Sequence, residues 1–284
     1  SRMIVPTMTL AEVATEIQSD YKEVINRWEK FEPKFNRIRM KKNSYPWFWE
    51  TTVMTKRKNE WNIIFYAYSK KDASIIIPRI YLSFRYENST WAASFIKGHN
   101  QILIFSAHFL ERYIERFLET DKKEMECPIK DLVKYFFLRN NHIACYKSEI
   151  EDSLRGFCED GMFLGDWLSD SVALVKTYLS RNELKPNQYT EFYEIVISWI
   201  VQDMFVSRKG YSYNIEEFDQ LPDSFFEPNE WNAFLFNRNN PIWINIAKEC
   251  AKFKREHPEE YEKCSQMLEA IQENRLPPEL GVSK

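Results

Sequence analysis

Five runs of β-branched and aromatic residues follow one another between Trp47 and Phe105, and only short polar links separate them. The runs are Trp47 to Lys56, Trp61 to Ser69, Ile76 to Tyr86, Trp91 to Ile96 and Gln101 to Phe105. Such runs are typical of β-strands, and links this short can join only antiparallel neighbours. The sequence therefore predicts an antiparallel meander of four or five strands.

Apolar residues at helical spacing flank this meander on both sides. Thr9 and Glu12 form a capping box, and the pattern after them predicts a helix that ends before Pro33. Residues 153–179 indicate a second set of hairpin strands, and the chain beyond Pro186 is mainly helical in pattern. The predicted fold class is α+β, with an antiparallel meander and a second β-hairpin block packed with helices, followed by a helical C-terminal part.

The C-terminal part carries more acidic than basic side chains, which suggests a separate unit. We place a candidate boundary near Gly210. The prediction is an α+β domain over residues 1–210 and a helical subdomain over residues 211–284, with one continuous domain as the alternative.

The chain of 284 residues contains six glycines, and they do not cluster between a strand and a helix. A phosphate-cradling loop needs glycine there, because a Cβ would keep the backbone away from the phosphate. This excludes P-loop, dinucleotide-binding and kinase-type sites. The net charge of −3 also gives no overall attraction to nucleic acid, so any anion site must be local.

The five cysteines and four histidines show no metal-ligand spacing, so we expect neither a metal nor a cofactor. The cysteines also lack the density of a disulfide scaffold, which favours reduced thiols and a cytoplasmic protein. No apolar run is long enough to span a membrane, so we expect no membrane association.

The most informative segment is the predicted helix from Ser106 to about Glu119. Its apolar residues occupy one half of the circumference, and the other half is charged. His108, Arg112 and Arg116 recur every fourth residue, so each is turned by about 40° from the one before and all three share one strip. One interpretation is a site where a histidine moves a proton and arginines hold a phosphate. The other is a solvated face with Glu/Arg pairs.

The order of a helix reading His-x3-Arg-x3-Arg, a second short helix and a β-hairpin ending at Lys176 resembles the core of the RelE/BrnT-type toxin ribonucleases and their uncharacterised relatives. The resemblance covers about residues 104–190. It implies a short helix packed on an antiparallel sheet and cleavage of RNA without a metal. By position it implies roles for His108, Arg112, Arg116 and Lys176, and for Thr177 and Gln188 nearby.

A second candidate site lies between Lys34 and Lys58, where basic residues alternate with aromatic ones. Basic side chains neutralise phosphates and aromatic rings stack on bases, a combination that holds single strands. The candidate nucleic-acid-binding residues are Lys41, Lys42, Lys56, Arg57 and Lys58. The alternative is structural, because Trp47 and Trp49 alternate with Phe48 and at least one face of that strand should be core.

Two functions remain open from the sequence. In the first, the protein is a metal-independent RNase-like enzyme in which His108 is the general acid or base, Arg112 and Arg116 hold the scissile phosphate and Lys176 neutralises charge. In the second, it is a non-catalytic interaction or structural module whose acidic C-terminal helices bind a protein partner.

Overall fold

A computed structural model describes residues 3–44, 47–67, 79–96, 101–119, 129–140, 142–147, 152–202 and 241–273. The described helices are α1 (Leu10–Arg39), α2 (Ala107–Arg116), α3 (Ile129–Arg139), α4 (Pro186–Val201), α5 (Pro241–Glu256) and α6 (Pro258–Glu273). The described strands are β1 (Trp47–Met54), β2 (Glu60–Ala67), β3 (Arg79–Tyr86), β4 (Ser89–Ile96), β5 (Gln101–Phe105), β6 (Ile143–Lys147), β7 (Ser153–Cys158), β8 (Gly161–Ser169) and β9 (Val172–Ser180). None of the described helices is both long and apolar enough to cross a membrane.

The predicted meander is confirmed. Strands β1 to β5 pair in sequence order, each antiparallel to the next. Tyr86 pairs with Ser89, so the β3–β4 turn is as tight as the Glu87-Asn88 link requires. The predicted strand ends at Ser69 and Ile76 lie outside the described residues.

The second β block does not form a sheet of its own. The nine described strands make one sheet in the order β1-β2-β3-β4-β5-β9-β8-β7-β6. Its two halves meet where β5 pairs with β9 in parallel, from Ile102 opposite Val172 to Phe105 opposite Val175. A parallel pair needs a long crossover, and here α2, α3 and three strands lie between the partners. The fold is α+β with a mostly antiparallel sheet, and β6 was not predicted.

The two faces of the sheet carry two separate apolar cores. One contains Val13, Ile17, Val24 and Trp28 of α1, packed on side chains such as Trp61. The other contains the apolar residues of α2 and α3, packed on the opposite face. The alternation of side chains along each strand supplies both cores, because successive residues point to opposite faces.

The prediction that α1 ends before Pro33 is wrong, since the helix continues to Arg39 with Pro33 inside it. Proline removes one backbone hydrogen bond and crowds the preceding turn, which normally ends a helix. Here Phe35 and Arg39 beyond it are buried, and the ring of Phe35 stacks on Trp47 at 5.1 Å and on Phe65 at 5.0 Å between centroids. Burial of an aromatic side chain offsets a cost of about 3 kcal/mol.

The described residues group into two compact units. Residues 3–158 and 162–180 form the first, which holds the sheet with α1 to α3. Residues 181–273, together with the turn 159–161, form the second, which holds α4 to α6. The boundary predicted near Gly210 lies outside the described residues, so the division into residues 1–210 and 211–284 stays a prediction.

Gly165 in β8 lies where the backbones of β8 and β9 come very close to each other. A Cβ added at this position would overlap the carbonyl oxygen of Leu174 in β9, and backbone cannot rotate out of the way. We expect Gly165→Ala to lower the free energy of unfolding by about 1–3 kcal/mol, the usual cost of overpacking. Urea unfolding of the full chain measures the effect. Leu168→Ala, at a side chain 44% exposed in the same strand, is the control, and an equal loss in both variants would contradict the interpretation.

Candidate active site on helix α2

The N-terminus of α2 is fixed to the junction of β5 and β9 through Ser106. The Ser106 hydroxyl caps the helix by accepting from the backbone N–H of Phe109 at 3.1 Å, and it donates to the carbonyl oxygen of Lys176 at 3.2 Å. The backbone N–H of Ser106 donates to the carbonyl oxygen of Val175 at 3.0 Å. These bonds set where the first turn of α2 lies relative to β9. Ser106 is the N-cap that the sequence predicted.

The apolar half of α2 is core, as predicted. Phe109, Leu110, Tyr113 and Ile114 are all buried. The ring of Tyr178 in β9 meets that of Tyr113 edge-on, with 5.1 Å between centroids. The helix therefore packs directly against β9 through its apolar half.

The structure brings His108 and Arg112 into contact. His108 is exposed, and its Nε2 accepts from Nε of Arg112 at 3.4 Å. Nη1 of Arg112 also donates to the Glu115 carboxylate at 2.7 Å, and the Arg112 side chain is 37% exposed. One accessible base and one accessible guanidinium thus adjoin on a single helix.

Arg116 and Lys176 are engaged elsewhere. Nη1 of Arg116 donates to the carbonyl oxygen of Tyr178 at 2.6 Å, which ties the C-terminal turn of α2 to β9. Lys176 is half-exposed, and its ammonium forms an ion pair with Asp166 of the neighbouring strand. Of the four predicted catalytic residues, His108 and Arg112 touch each other, whereas Arg116 supports the helix and Lys176 is neutralised.

The site lies where the two halves of the sheet meet. Residue 106 follows the carboxyl end of β5, and Lys176 follows the part of β9 that pairs with β5 in parallel. The first turn of α2 therefore lies beside the carboxyl end of the parallel pair.

The predicted basic site between Lys34 and Lys58 is divided by the fold. Lys41 and Lys42 follow the end of α1, whereas Lys56, Arg57 and Lys58 occupy the turn between β1 and β2. The eight residues of β1 lie between the two groups, a length of about 26 Å. The five residues do not make one local patch.

The aromatic side chains beside Lys42 are packed. Trp47 stacks on Phe35, and the Lys42 ammonium lies over the Trp47 ring at 5.1 Å from its centroid. Lys34 lies over Trp49 in the same way, at 5.3 Å. A base that stacked on these rings would have to displace a lysine or a core side chain. These contacts favour the structural interpretation of Trp47 and Trp49.

An acidic face of α1 holds the β1–β2 turn. Glu16 pairs with Arg57 at 2.8 Å, and Glu23 accepts from the backbone N–H of Lys56 at 3.1 Å. Between them, Oδ2 of buried Asp20 accepts from Nδ2 of Asn59 at 2.7 Å and from Nε1 of Trp61 at 2.9 Å. Sequence reasoning missed this arrangement, although Glu16, Asp20 and Glu23 recur at helical spacing and could have signalled it.

Replacing Asp20 by alanine should leave two buried donors, Asn59 Nδ2 and Trp61 Nε1, without their acceptor. The expected loss in unfolding free energy is about 1–3 kcal/mol, the cost of leaving buried hydrogen-bonding groups without a partner. Urea unfolding followed by circular dichroism measures it. Ser19→Ala, at an exposed position next along the helix, is the control. A stability unchanged by Asp20→Ala would contradict this role for Asp20.

Burial disfavours the thiolate form of Cys145, Cys250 and Cys264. Cys158, Cys250 and Cys264 are buried, and burial raises the pKa of the Cys264 thiol to about 12. A thiol with so high a pKa is a poor nucleophile at neutral pH. No group of three or more His, Cys, Asp or Glu side chains suited to a metal ion occurs among the described residues.

Comparisons with known proteins leave the function to be inferred from the site. No family model, no curated protein and no solved structure matches the chain. His108 and Arg112 adjoin on α2, whose first turn is bonded to β9 through Ser106.

Proposed function

We propose that the protein cleaves RNA without a metal ion, with His108 as the general base and Arg112 as the phosphate-binding group. The observation that carries this proposal is the 3.4 Å contact between the exposed His108 imidazole and the Arg112 guanidinium. One phosphodiester group could therefore contact both the side chain that accepts a proton and the side chain that holds an oxyanion. The RelE/BrnT-type resemblance of residues 104–190 implies the same activity, and RNA as the partner.

In the proposed reaction, Nε2 of neutral His108 removes the proton from a ribose 2′-hydroxyl. The 2′-oxygen then attacks the adjacent phosphorus, and the bond from phosphorus to the 5′-oxygen breaks. The 5′-oxygen leaves as a hydroxyl after taking up a proton from water, the imidazolium of His108 returns its proton to the solvent, and a 2′,3′-cyclic phosphate remains. The Arg112 guanidinium stabilises the charge that builds up on the phosphoryl oxygens.

Arg112 must change partners for this reaction to occur. Its Nε now lies against Nε2 of His108, which is the nitrogen that has to accept the proton, and its Nη1 is held by Glu115. A phosphate offers two oxygens in the plane of the guanidinium fork, so it competes with both contacts. In this proposal Arg116 positions α2, and Lys176 adds positive charge only after it leaves Asp166.

Cleavage of unstructured RNA in the presence of EDTA tests the proposal. The full chain is incubated with RNA and with DNA of the same sequence, and the products are separated by size. We expect RNA to be cut and DNA to remain intact, because DNA lacks the 2′-hydroxyl. The proposal is contradicted if RNA remains intact or is cut only when a divalent metal is added.

A second candidate is a protein-binding role for the unit formed by α4 to α6, with the whole protein acting in the cytoplasm. The support is that these helices group as a compact unit of their own and that α6 exposes Glu259 and Glu262. Such a surface suits a basic partner. This role predicts saturable binding to a protein partner and no turnover of RNA.

A further inference from the structure

Arg112 contacts two neighbours on its own helix at the same time. Its Nε donates to Nε2 of His108 at 3.4 Å, and its Nη1 donates to a carboxylate oxygen of Glu115 at 2.7 Å. His108 precedes Arg112 by four residues and Glu115 follows it by three, and these are the two spacings at which side chains adjoin on a helix surface. The three side chains therefore form one connected group, and both of its contacts are made within α2.

The contact with Glu115 is the one that a phosphate would replace. A carboxylate and a phosphate both offer oxygens to a guanidinium, and both form short, charge-assisted hydrogen bonds with it. The carboxylate oxygen of Glu115 thus occupies one of the positions at which Arg112 would hold a phosphoryl oxygen. The side chain of Glu115 is 50% exposed and that of Arg112 is 37% exposed, so a phosphate from solvent can reach the pair.

The contact with His108 makes the proposed base depend on the same guanidinium. While Nε of Arg112 lies against Nε2 of His108, that nitrogen is not open to a ribose hydroxyl. A single planar guanidinium carries both contacts, so its movement onto a phosphate breaks them together. Binding of the phosphate and exposure of Nε2 are then one event.

From this arrangement we infer that Glu115 is an autoinhibitory residue, whose carboxylate takes the place of the substrate phosphate on Arg112 and keeps the guanidinium over His108. A phosphate that displaces Glu115 opens the site. The inference rests on the proposed function for the identity of the substrate, and it adds the regulation of that same site. Since the contact is one exposed ion pair, it should weaken phosphate binding by about twofold to fivefold.

Binding of inorganic phosphate to the full chain measures this competition without RNA. In NMR titrations at constant ionic strength, the ring signals of His108, assigned as those missing from His108→Ala, report the movement of Arg112. We expect Glu115→Gln to bind phosphate about twofold to fivefold more tightly than the original protein. Glu111→Gln removes an equal charge from the same helix and, as the matched control, should have a smaller effect. An equal gain in both variants, or no gain in Glu115→Gln, would overturn the inference.

Steady-state cleavage of RNA in EDTA gives a readout that a purely structural role of Glu115 would not produce. Glu115 competes with the substrate only in the free protein, so Glu115→Gln should lower KM by the same factor and leave kcat unchanged. A change in kcat at constant KM would overturn the inference while leaving the proposed function intact. Tighter phosphate binding by Glu115→Gln without any RNA cleavage would overturn the proposed function and support Glu115 as the competitor at the anion site.

Discussion

Replacing His108 by alanine is expected to lower the rate of RNA cleavage by about 10²–10⁴-fold, because the proposed general base is lost. The imidazole is exposed, and its contact with Arg112 is long, at 3.4 Å. Alanine is also a good helix former in the first turn of α2. The unfolding free energy should therefore stay within about 0.5 kcal/mol of the original value. Initial rates in EDTA and thermal unfolding of the same preparations measure the two quantities.

His142→Ala is the matched control for this substitution. His142 belongs to the same compact unit and precedes β6, away from α2 in sequence. Its removal should leave the cleavage rate unchanged. Equal rates for the original protein and His108→Ala would show that His108 is not the base. A His108→Ala protein that no longer folds would show that the residue is structural.

Phe105→Ala should destabilise the protein by about 3–5 kcal/mol, the usual cost of deleting a buried phenylalanine. Phe105 is 1% exposed and ends β5 at its parallel pairing with β9. The neighbouring rings, with centroids 5.1–6.2 Å away, are those of Phe109, Phe136, Phe137 and Phe163. Alanine would leave a cavity among four rings that cannot all close in on it.

Urea unfolding of the full chain followed by circular dichroism measures this loss. Met54→Ala, at a side chain 56% exposed in β1, provides the control and should cost less than about 0.5 kcal/mol. Phe105→Leu should recover a part of the stability by filling the space. If Phe105→Ala costs no more than Met54→Ala, the ring cluster is not the core that joins α2 to the sheet.

Local patterns were sufficient to predict the meander but not the joining of the two β blocks. The alternation along β1 to β5 and the short links between them allow little besides antiparallel neighbours. The pairing of β5 with β9 depends on residues about 70 positions apart. No local sequence pattern indicates which strand edges will pair over such a separation. The end of α1 was misplaced for a related reason, because burial of Phe35 against β1 and β2 outweighs the local preference of Pro33.

The spacing of His108, Arg112 and Arg116 predicted their shared face, but it could not predict their partners. Arg116 binds the carbonyl oxygen of Tyr178, and Lys176 pairs with Asp166 of the neighbouring strand. These contacts depend on how α2 crosses β9 and which strand lies beside it. The same holds for Arg57, whose partner Glu16 lies 41 residues away in the chain.

The chemical groups at the ends of the RNA products distinguish the proposed mechanism from its alternatives. If His108 removes the 2′-hydroxyl proton, cleavage in EDTA must leave a 2′,3′-cyclic phosphate on one fragment and a 5′-hydroxyl on the other. Mass spectrometry of the products formed by the full chain identifies both ends. Fragments that end in a 3′-hydroxyl and a 5′-phosphate, or the absence of any product, would contradict the assignment of His108 and Arg112 as a metal-independent RNA-cleaving site.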